Sequence, residues 1–310
     1  MIAIQDIAYV RYGAPDLDVM QAFLADFGLH VAARTDTSLY MRAAGDAPFV
    51  HVTDYSAEPA ALGFGLRVAS LADLESVAAT LGTKVEYSGA PGGGKVVRFT
   101  DPAGLRVELV WGQDNGAAMT QRAAVPLNNI SQRQRLGVPV RRAPAPSNVM
   151  RLGHVAIHVK DFPQVVDFYQ RVLGFKVSDS YWAGASDNTI AVFLHCGLGT
   201  SWTDHHTIAL IAAQDGQTRF DHSAFEVVDI DDLMQGNAYL TQRGHTHSWG
   251  VGRHIQGSQI FDYWRDPFGN KIEHWTDGDI VNDDTVPVHA EFSPSELSQW
   301  APPLSPEFFA

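Results

Sequence analysis

The residues best suited to chemistry lie in three short apolar stretches of the second half of the chain. GHVAIHVKD, at residues 153–161, contains His154 and His158, while FDHSAFEV contains His222 and NKIEHWTDG contains Glu273. Imidazole nitrogens and carboxylate oxygens bind divalent first-row metals. The single cysteine, Cys196, excludes an intramolecular disulfide and a thiolate metal cluster. The residue types therefore indicate a site built from histidine and carboxylate ligands.

Strand alternation decides which of these side chains can meet. Successive side chains of a strand point to opposite faces, so His154 and His158 share a face and the aliphatic residues between them face a helix. The same alternation assigns the side chains of His222 and Glu273 to the cup-facing sides of their own strands. We therefore predict that His154, His222 and Glu273 point into one cup. His158 lies roughly 6.5 Å further along its strand, too far to bind the same ion, and lines or supports the cup.

This ligand set predicts a metal site that keeps positions free for other molecules. Two imidazoles and one carboxylate on one face of the ion leave up to three coordination positions, an arrangement typical of non-haem Fe(II) oxygenases. Mn(II) would satisfy the same ligands, and Zn(II) would also bind them. The triad on its own therefore leaves the chemistry open.

The elements that would position these residues occur twice in the chain. A strand followed by an amphipathic helix is found at residues 7–29 and again at 153–175, and a second such pair lies at 63–82 and 222–244. Both halves close with an Asp-Pro-x-Gly turn between strands, starting at Asp101 and Asp266. This pattern predicts an α+β fold of two domains, each made of paired βαβββ modules.

Composition along the chain suggests where these domains begin and end. We predict an N-terminal domain without a metal site at residues 1–112 and a catalytic domain at 149–280. The Pro-, Arg- and Asn-rich residues 113–148 would form an interdomain connection, and residues 281–310 an irregular tail.

The repeat makes each half a control for the other. Alignment by apolar pattern places Tyr9 opposite His154, Gly63 opposite His222 and Glu108 opposite Glu273. The first half thus keeps the scaffold but lacks both histidines. A purely structural role would give no reason for one half to lack them, so the alignment favours a metal site in the second half alone.

Bulk composition limits the class of partner. The net charge of −13 is spread without long runs of like charge, which argues against nucleic acid and anionic membranes as partners. No apolar stretch approaches the roughly 18 residues of a membrane span, and the N-terminus lacks the pattern of a secretion signal. We expect a cytoplasmic protein that binds a small neutral or weakly charged molecule.

Five stretches taken in order resemble the type I extradiol catechol dioxygenases of the vicinal oxygen chelate superfamily, and the resemblance covers essentially the whole chain. They are GHVAIHVKD, DHHTIALI, FDHSAFEV, GRHIQGSQIFDYWRDP and GNKIEHWTDG. The resemblance implies the vicinal oxygen chelate (glyoxalase-like) fold. It also implies an oxidoreductase in the degradation of aromatic compounds, which opens a catechol ring beside its two hydroxyl groups and incorporates both atoms of O₂. Fe(II), an aromatic diol substrate and a homo-oligomer are implied as well.

Residue by residue, the resemblance assigns the metal ligands to His154, His222 and Glu273. The catalytic residues beyond them match His206, His254 and Tyr263. From alternation, His206 would share a face with Ile208 and Leu210 and point into the cup, whereas His205 would be a surface or structural residue. One departure concerns position 257, where Gly257 replaces the aspartate that many members carry three residues after the histidine matching His254.

Two other classes of function use the same scaffold. A glyoxalase-like lyase or isomerase would bind Zn(II) or Ni(II), commonly through four protein ligands. This chain offers three good candidate ligands, which disfavours that class. A non-catalytic ligand-binding module would not need the two-histidine, one-glutamate set, so the presence of this set weighs against that class. Within the dioxygenase reading, monocyclic, biphenyl-type, fused-ring and trihydroxylated substrates all remain open.

Overall fold

The computed structural model of the chain describes residues 2–309, apart from the side chains of residues 307 and 309. The first half forms an eight-stranded sheet with two helices. Its elements in chain order are β1 (Ile4–Ala14), α1 (Leu17–Phe27), β2 (His30–Arg34), β3 (Ser38–Arg42), β4 (His51–Tyr55), β5 (Ala60–Val68), α2 (Leu71–Leu81), β6 (Val85–Tyr87), β7 (Lys95–Thr100) and β8 (Arg106–Trp111).

The second half forms a nine-stranded sheet, with β12 and β18 paired separately. Its elements are β9 (Val149–Val159), α3 (Phe162–Arg171), β10 (Lys176–Trp182), β11 (Thr189–His195), β12 (Thr203–Asp204), β13 (Ile208–Ala212), β14 (Arg219–Val227), α4 (Ile230–Gln242), β15 (Thr246–Arg253), β16 (Ile260–Arg265), β17 (Lys271–Thr276), β18 (Ile280–Val281), β19 (Val288–Glu291), a 3₁₀ turn (Pro294–Leu297) and α5 (Pro306–Phe309).

Both sheets are built from two βαβββ modules, as the repeat predicts. The strand orders are β2-β3-β4-β1-β5-β8-β7-β6 and β15-β16-β17-β14-β9-β13-β11-β10-β19. Within each module the first strand pairs in parallel with the last, and the first strands of the two modules pair antiparallel, β1 with β5 and β9 with β14. The predicted fold class is confirmed.

Helix α1 shows how local sequence sets these elements. The Asp16 side chain accepts hydrogen bonds from the backbone N–H groups of Asp18 and Val19, which would otherwise lack partners in the first turn. The helix ends at Gly28, whose φ of 113° is accessible to glycine at little cost. Its apolar face is buried, as expected of an amphipathic helix, and includes Met20, Phe23, Leu24 and Phe27.

The two halves pack against each other through a continuous apolar core and several polar contacts. The His274 Nε2 atom lies 2.8 Å from the Phe27 carbonyl oxygen, and the Tyr169 hydroxyl donates to Asp101 across 2.8 Å. Between β8 and β9, residues 112–148 contain neither helix nor strand. Arg122 anchors this segment by donating to Asp229 at 2.9 Å.

The C-terminal residues differ from the predicted irregular tail. Strand β19 adds to the edge of the second sheet beside β10, and residues 294–309 include a 3₁₀ turn and the short helix α5. This segment is held because it buries apolar side chains on the sheet, in a cluster formed by Trp249, Phe261 and Tyr263 with Leu297, Ala301, Leu304 and Phe308.

Membrane association through a spanning helix finds no support in this structure. Among residues 2–309 no helix has the length and apolar character needed to cross a bilayer.

Candidate metal centre

Three adjacent strands of the second sheet converge on one point. Ala224 at the centre of β14 pairs with His154 on β9 and with Glu273 on β17, so these two side chains flank β14. His222 lies two residues before Ala224 on the same face. The candidate ligand atoms of His154, His222 and Glu273 all lie within 4.8 Å of one another. The alternation predicted from sequence therefore places the three side chains together.

The geometry of the three side chains fits a divalent metal ion. The Oε2 atom of Glu273 is 3.4 Å from His154 Nε2 and 3.3 Å from His222 Nε2. Ligand atoms bound to one ion at about 2.1 Å lie roughly 3–3.5 Å apart. Glu273 is fully buried, and neither carboxylate oxygen has a hydrogen-bond partner within the described part of the chain. A buried unpaired carboxylate is costly, and a cation at this point would remove that cost.

Burial also favours the neutral form of the His154 imidazole, which metal binding needs. Desolvation lowers the pKa of His154 from its usual 6.5 to about 3, so its imidazole is neutral at pH 7. Burial also raises the pKa of the Glu273 carboxyl above its usual value. Neutral imidazole is the form that coordinates metals, and a bound cation would favour the ionised carboxylate.

A charged group behind His222 orients this ligand. The Asp221 Oδ1 atom lies 2.6 Å from His222 Nδ1 and accepts a hydrogen bond from the Lys271 ammonium at 3.2 Å. Burial would raise the pKa of Asp221, but Lys271 and the hydrogen bonds from His158 and His222 hold this pKa well below its usual value. A carboxylate at Nδ1 leaves the lone pair on Nε2, the atom that faces Glu273.

His158 is not one of the clustered ligands. Its Nε2 atom lies 3.1 Å from Asp221 Oδ2, and its side chain lines the cavity beside the site. The expectation that His158 lines or supports the cup agrees with this placement.

A cavity of about 850 Å³ lies beside the candidate ligands. His154 and His222 line it, Glu273 lies directly behind them, and the three predicted catalytic side chains line it as well. These are His206, His254 and Tyr263. Five of the six predicted site residues thus line a single cavity, and the sixth, Glu273, lies beside two of them.

His254 and Tyr263 form a hydrogen-bonded pair at the wall of the cavity. His254 Nε2 is 2.9 Å from the Tyr263 hydroxyl, and His254 Nδ1 is 2.7 Å from the carbonyl oxygen of Leu297. Burial lowers the pKa of His254 to about 4 and raises that of Tyr263. Because the carbonyl only accepts, Nδ1–H donates to Leu297, and Nε2 accepts from the tyrosine hydroxyl.

The hydrogen bond between His254 and the Leu297 carbonyl oxygen bears on position 257, where Gly257 replaces the aspartate of many family members. Gly257 offers no side chain to His254, and the acceptor for Nδ1–H comes instead from the backbone of the C-terminal segment. Gly257 has a φ of 80°, and a Cβ atom there would lie 2.9 Å from His205 Nδ1. The backbone and the neighbouring ring both favour glycine at this position.

The structure corrects the interpretation of the His205–His206 pair. Strand β13 begins only at Ile208, and its cavity-lining residues are Ala209, Ile211 and Ala212 rather than Ile208 and Leu210. His206 reaches the cavity from the irregular chain before the strand. His205, expected at the surface or in a structural role, is buried with 4% of its area exposed and contacts His206.

In the first half, the position equivalent to the candidate metal centre is occupied by charged side chains of the protein itself. Gly65 pairs with both Tyr9 and Glu108, as Ala224 does with His154 and Glu273, so the register agrees with the alignment of the halves. The Tyr9 hydroxyl donates to Glu108. Three guanidinium groups surround this carboxylate, those of Arg11, Arg98 and Arg106. Arginines thus supply the positive charge here.

Sequence reasoning missed several residues that shape the site. Asp221 could have been noticed as the carboxylate directly before His222, but its partner Lys271 is 50 residues away. Leu297 acts through its backbone carbonyl, which has no sequence signal. Phe308 lines the cavity from a segment predicted to be irregular.

Comparisons with known proteins agree with this geometry. The profile of the Glyoxalase/Bleomycin resistance protein/Dioxygenase superfamily matches residues 151–274. The chain is 30% identical over 309 residues to metapyrocatechase 2 of Cupriavidus necator, covering 99% of this chain and 92% of the relative. It is 27% identical to biphenyl-2,3-diol 1,2-dioxygenase of Paraburkholderia xenovorans, with coverage of 95% and 94%.

Solved structures share the fold over nearly the full length. The Mn(II)-bound glyoxalase of Novosphingobium aromaticivorans superimposes with a TM-score of 0.79 and 26% identity, covering 97% of this chain and 91% of the other. Homoprotocatechuate 2,3-dioxygenase of Arthrobacter globiformis gives a TM-score of 0.80 with 22% identity, covering 99% and 91%. The second likeness concerns the fold alone.

Proposed function

This chain belongs to the extradiol catechol dioxygenases, oxidoreductases of the Glyoxalase/Bleomycin resistance protein/Dioxygenase superfamily, and we propose that it opens a catecholic ring beside its diol, with O₂ as co-substrate. The observation that carries the proposal is the buried Glu273 carboxylate, without hydrogen-bond partners among the described residues, facing the imidazole nitrogens of His154 and His222. This donor set fits a metal that must keep coordination positions free for substrate.

We propose Fe(II) as the resident metal, held by His154, His222 and Glu273, with Mn(II) as the alternative for the same ligands. When bound, a redox-active divalent ion would hold diol and O₂ together and provide a route for electrons between them. Mn(II) has direct precedent, because a solved relative with 26% identity is a Mn(II)-bound glyoxalase.

The protein groups around the cavity bind the diol and handle its protons. His206 lies beside the ligand His154, with ring centroids 4.1 Å apart, and burial holds the pKa of His206 well below its usual value. A neutral imidazole here can accept a proton from a diol hydroxyl and return it later. The Tyr263 hydroxyl, paired with His254, supplies a polar anchor beside His222, with ring centroids 5.1 Å apart.

The C-terminal segment excludes water from this chemistry. Phe292, Leu297 and Phe308 contribute apolar surface to the cavity. An apolar wall around the reacting groups strengthens their electrostatic interactions and limits side reactions with water.

The size and lining of the cavity favour a diol with a bulky apolar substituent. Its volume of about 850 Å³ far exceeds the room needed by a single catechol ring, and pockets of this size hold drug-sized ligands. The cationic side chains that line it already have partners: Arg219 pairs with Asp215, Lys271 pairs with Asp221, and Arg265 donates to the Gly269 carbonyl oxygen at 2.9 Å. A biphenyl-type or fused-ring diol fits such a cavity better than a small catechol carrying a free carboxylate.

A substitution at the cavity wall tests this substrate class. Ile211 lines the cavity on β13 and pairs with His158 on β9. Ile211→Phe should lower kcat/KM for biphenyl-type diols at least tenfold and leave unsubstituted catechol within about threefold. Ile211→Leu, of equal volume, serves as the control. Equal losses on both substrates in Ile211→Phe would contradict the proposed substrate class.

We also propose that the chain forms a homo-oligomer through the connection at residues 113–148. Four large apolar side chains there are more than half exposed, namely Leu127 (60%), Ile130 (88%), Leu136 (76%) and Val138 (62%). The segment also carries several arginines in a chain of net charge −13. Exposed apolar groups rimmed by charge opposite to the rest of the surface suit contact with a second copy.

Light scattering on paired variants tests this contact. The double variant Ile130→Ser, Leu136→Ser should lower the mass of the assembly. The control Val286→Ser removes a side chain that is 84% exposed outside the segment and should leave the mass unchanged. An unaltered mass in the double variant would refute the role of this segment.

The decisive experiment for the reaction combines metal analysis with ring cleavage. The protein purified without air should bind near-stoichiometric iron or manganese and, after exposure to air, convert a panel of catechols to products with new visible absorbance. His222→Ala should lose metal and activity, whereas His30→Ala, an exposed histidine of β2, should retain both. Stoichiometric zinc or nickel with no product from any diol would favour a glyoxalase-like lyase instead.

A further inference from the structure

Three buried polar side chains form a continuous chain that leads away from the cavity. Asp179 Oδ2 lies 2.8 Å from His205 Nε2, and His205 Nδ1 lies 3.0 Å from His206 Nδ1. Their exposed fractions are 8%, 4% and 4%. Of the three, His206 alone contributes to the lining of the cavity. The other two therefore act on substrate only through His206.

The chemistry of the donors and acceptors gives this chain one direction. An ionised carboxylate only accepts hydrogen bonds, so His205 Nε2–H donates to Asp179. With this proton on Nε2, the Nδ1 atom of His205 is the acceptor for His206 Nδ1–H. His206 is left with its lone pair on Nε2. Without a fixed neighbour, either nitrogen of His206 could carry the proton.

We infer that Asp179 and His205 are positioning residues that hold His206 in the tautomer whose Nε2 can accept a proton from the bound diol. This inference rests on the proposed function for its consequence in catalysis. The tautomer itself is a property of the protein and can be measured without turnover.

Contacts to both the backbone and the ring hold His205 in place, as a positioning role requires. Its backbone N–H donates to the Asp279 carbonyl at 3.0 Å, and Ser178 Oγ donates to its carbonyl oxygen. The absence of a side chain at Gly257 leaves the space that the ring occupies, since a Cβ atom would lie 2.9 Å from Nδ1. Phe193 packs near the ring, with centroids 5.6 Å apart.

Asp179 is fixed as firmly as the ring that it orients. Its second oxygen, Oδ1, accepts from the backbone N–H of Val288 at 2.6 Å. This bond comes from β19, which pairs with β10, the strand that carries Asp179. Both carboxylate oxygens therefore have partners, and the acceptor that faces His205 cannot rotate away without breaking a second hydrogen bond.

Three variants with a matched control test the inference by kinetics. Asp179→Asn and His205→Leu should lower kcat about 100-fold, since a correctly placed acid–base group contributes on the order of 10²–10⁴ in rate. KM and metal content should stay within about threefold. His205→Asn places an amide where Nδ1 lies and should recover part of the rate. His195→Leu removes another buried histidine, outside the chain and the cavity lining, and should keep wild-type kcat.

Nitrogen NMR of the zinc-loaded protein gives a readout independent of activity. His206, assigned by comparison with His206→Gln, should show the Nδ1–H tautomer in the wild type and a mixture or the opposite tautomer in Asp179→Asn. An Nε2–H tautomer in the wild type would overturn the inference, as would unchanged kcat in both Asp179→Asn and His205→Leu. Equal loss of rate in His195→Leu, or loss of metal in the test variants, would show a structural effect alone.

The two readouts separate the inference from the proposed function. If no diol is cleaved by the wild type, the proposed reaction fails, while the NMR result still decides whether the carboxylate sets the tautomer of His206.

Discussion

Glu273 and Glu108 hold equivalent positions in the two halves, and we predict that the same substitution has opposite effects at the two sites in the metal-free protein. Glu273 is fully buried and lies beside two imidazole nitrogens at 3.3 and 3.4 Å. Glu108 is almost as buried but is surrounded by guanidinium groups and the Tyr9 hydroxyl. The substitution is glutamate to glutamine in each case.

The magnitudes follow from what the new amide would face. In Glu273→Gln the amide N–H groups can donate to the lone pairs of His154 Nε2 and His222 Nε2, which exchanges a buried unpaired charge for hydrogen bonds. At about 1 kcal/mol for each bond, the free energy of unfolding should rise by about 1–2 kcal/mol. In Glu108→Gln the amide faces Arg11, and removing one partner of a buried ion pair should cost about 2–4 kcal/mol.

Chemical denaturation in excess chelator at pH 8 measures both changes. The chelator keeps the candidate site free of metal, so each variant is compared with the metal-free wild-type protein. Metal titration of the folded variants should show that Glu273→Gln has lost the site while Glu108→Gln retains it. A fall in stability for Glu273→Gln, or a rise for Glu108→Gln, would refute the assignment of a cation-binding position to the second half alone.

Three further predictions concern the ligand support, the pH dependence and metal removal. Asp221→Asn should weaken Fe(II) or Mn(II) binding 10- to 100-fold in a competition assay with a chromophoric chelator, because His222 loses its charged partner; Asp215→Asn, on the surface of the same half, should not. Burial lowers the pKa of His51 from 6.5 to about 3, so the unfolded chain takes up a proton below pH 6.5 that the folded chain does not. Unfolding free energy should therefore fall by about 1 kcal/mol per such histidine between pH 6.5 and 5.5, and His51→Phe should remove that share of the slope; an unchanged slope in urea titrations would contradict it. Free metal at 100 times its Kd should stabilise the protein by about 2.7 kcal/mol over the chelated form, and an equal gain in His222→Ala would contradict binding at this site.

Much of the site could be predicted because alternation along a strand is a local property. The faces of β9, β14 and β17 follow from the order of apolar and polar residues, and this order placed His154, His222 and Glu273 on cavity-facing sides. His274 agrees with the same alternation, since its side chain points away from the cavity and bonds Phe27 of the other half. The repeat of the whole pattern predicted both sheets and the absence of histidine ligands from the first half.

His206 shows where local reasoning fails. It precedes β13 in irregular chain, and alternation counted backwards from Ile208 assigned it the wrong neighbours. The burial of His205 was not predicted for the same reason. Outside regular strands, the direction of a side chain depends on the backbone path, and that path is held here by contacts with Ser178 and Asp279.

Sequence alone determined the fold class, and it predicted the residue types of the candidate site and the half that contains it, because periodicity and repetition are properties of the order of residues. Only the tertiary structure decided that β14 lies between β9 and β17, that Lys271 neutralises Asp221, and that the C-terminal segment covers the cavity and bonds His254 through Leu297. Such contacts join residues far apart in the chain, and some of them use backbone atoms that every residue possesses. Their partners become defined only when the strands pair and the apolar surfaces are buried together.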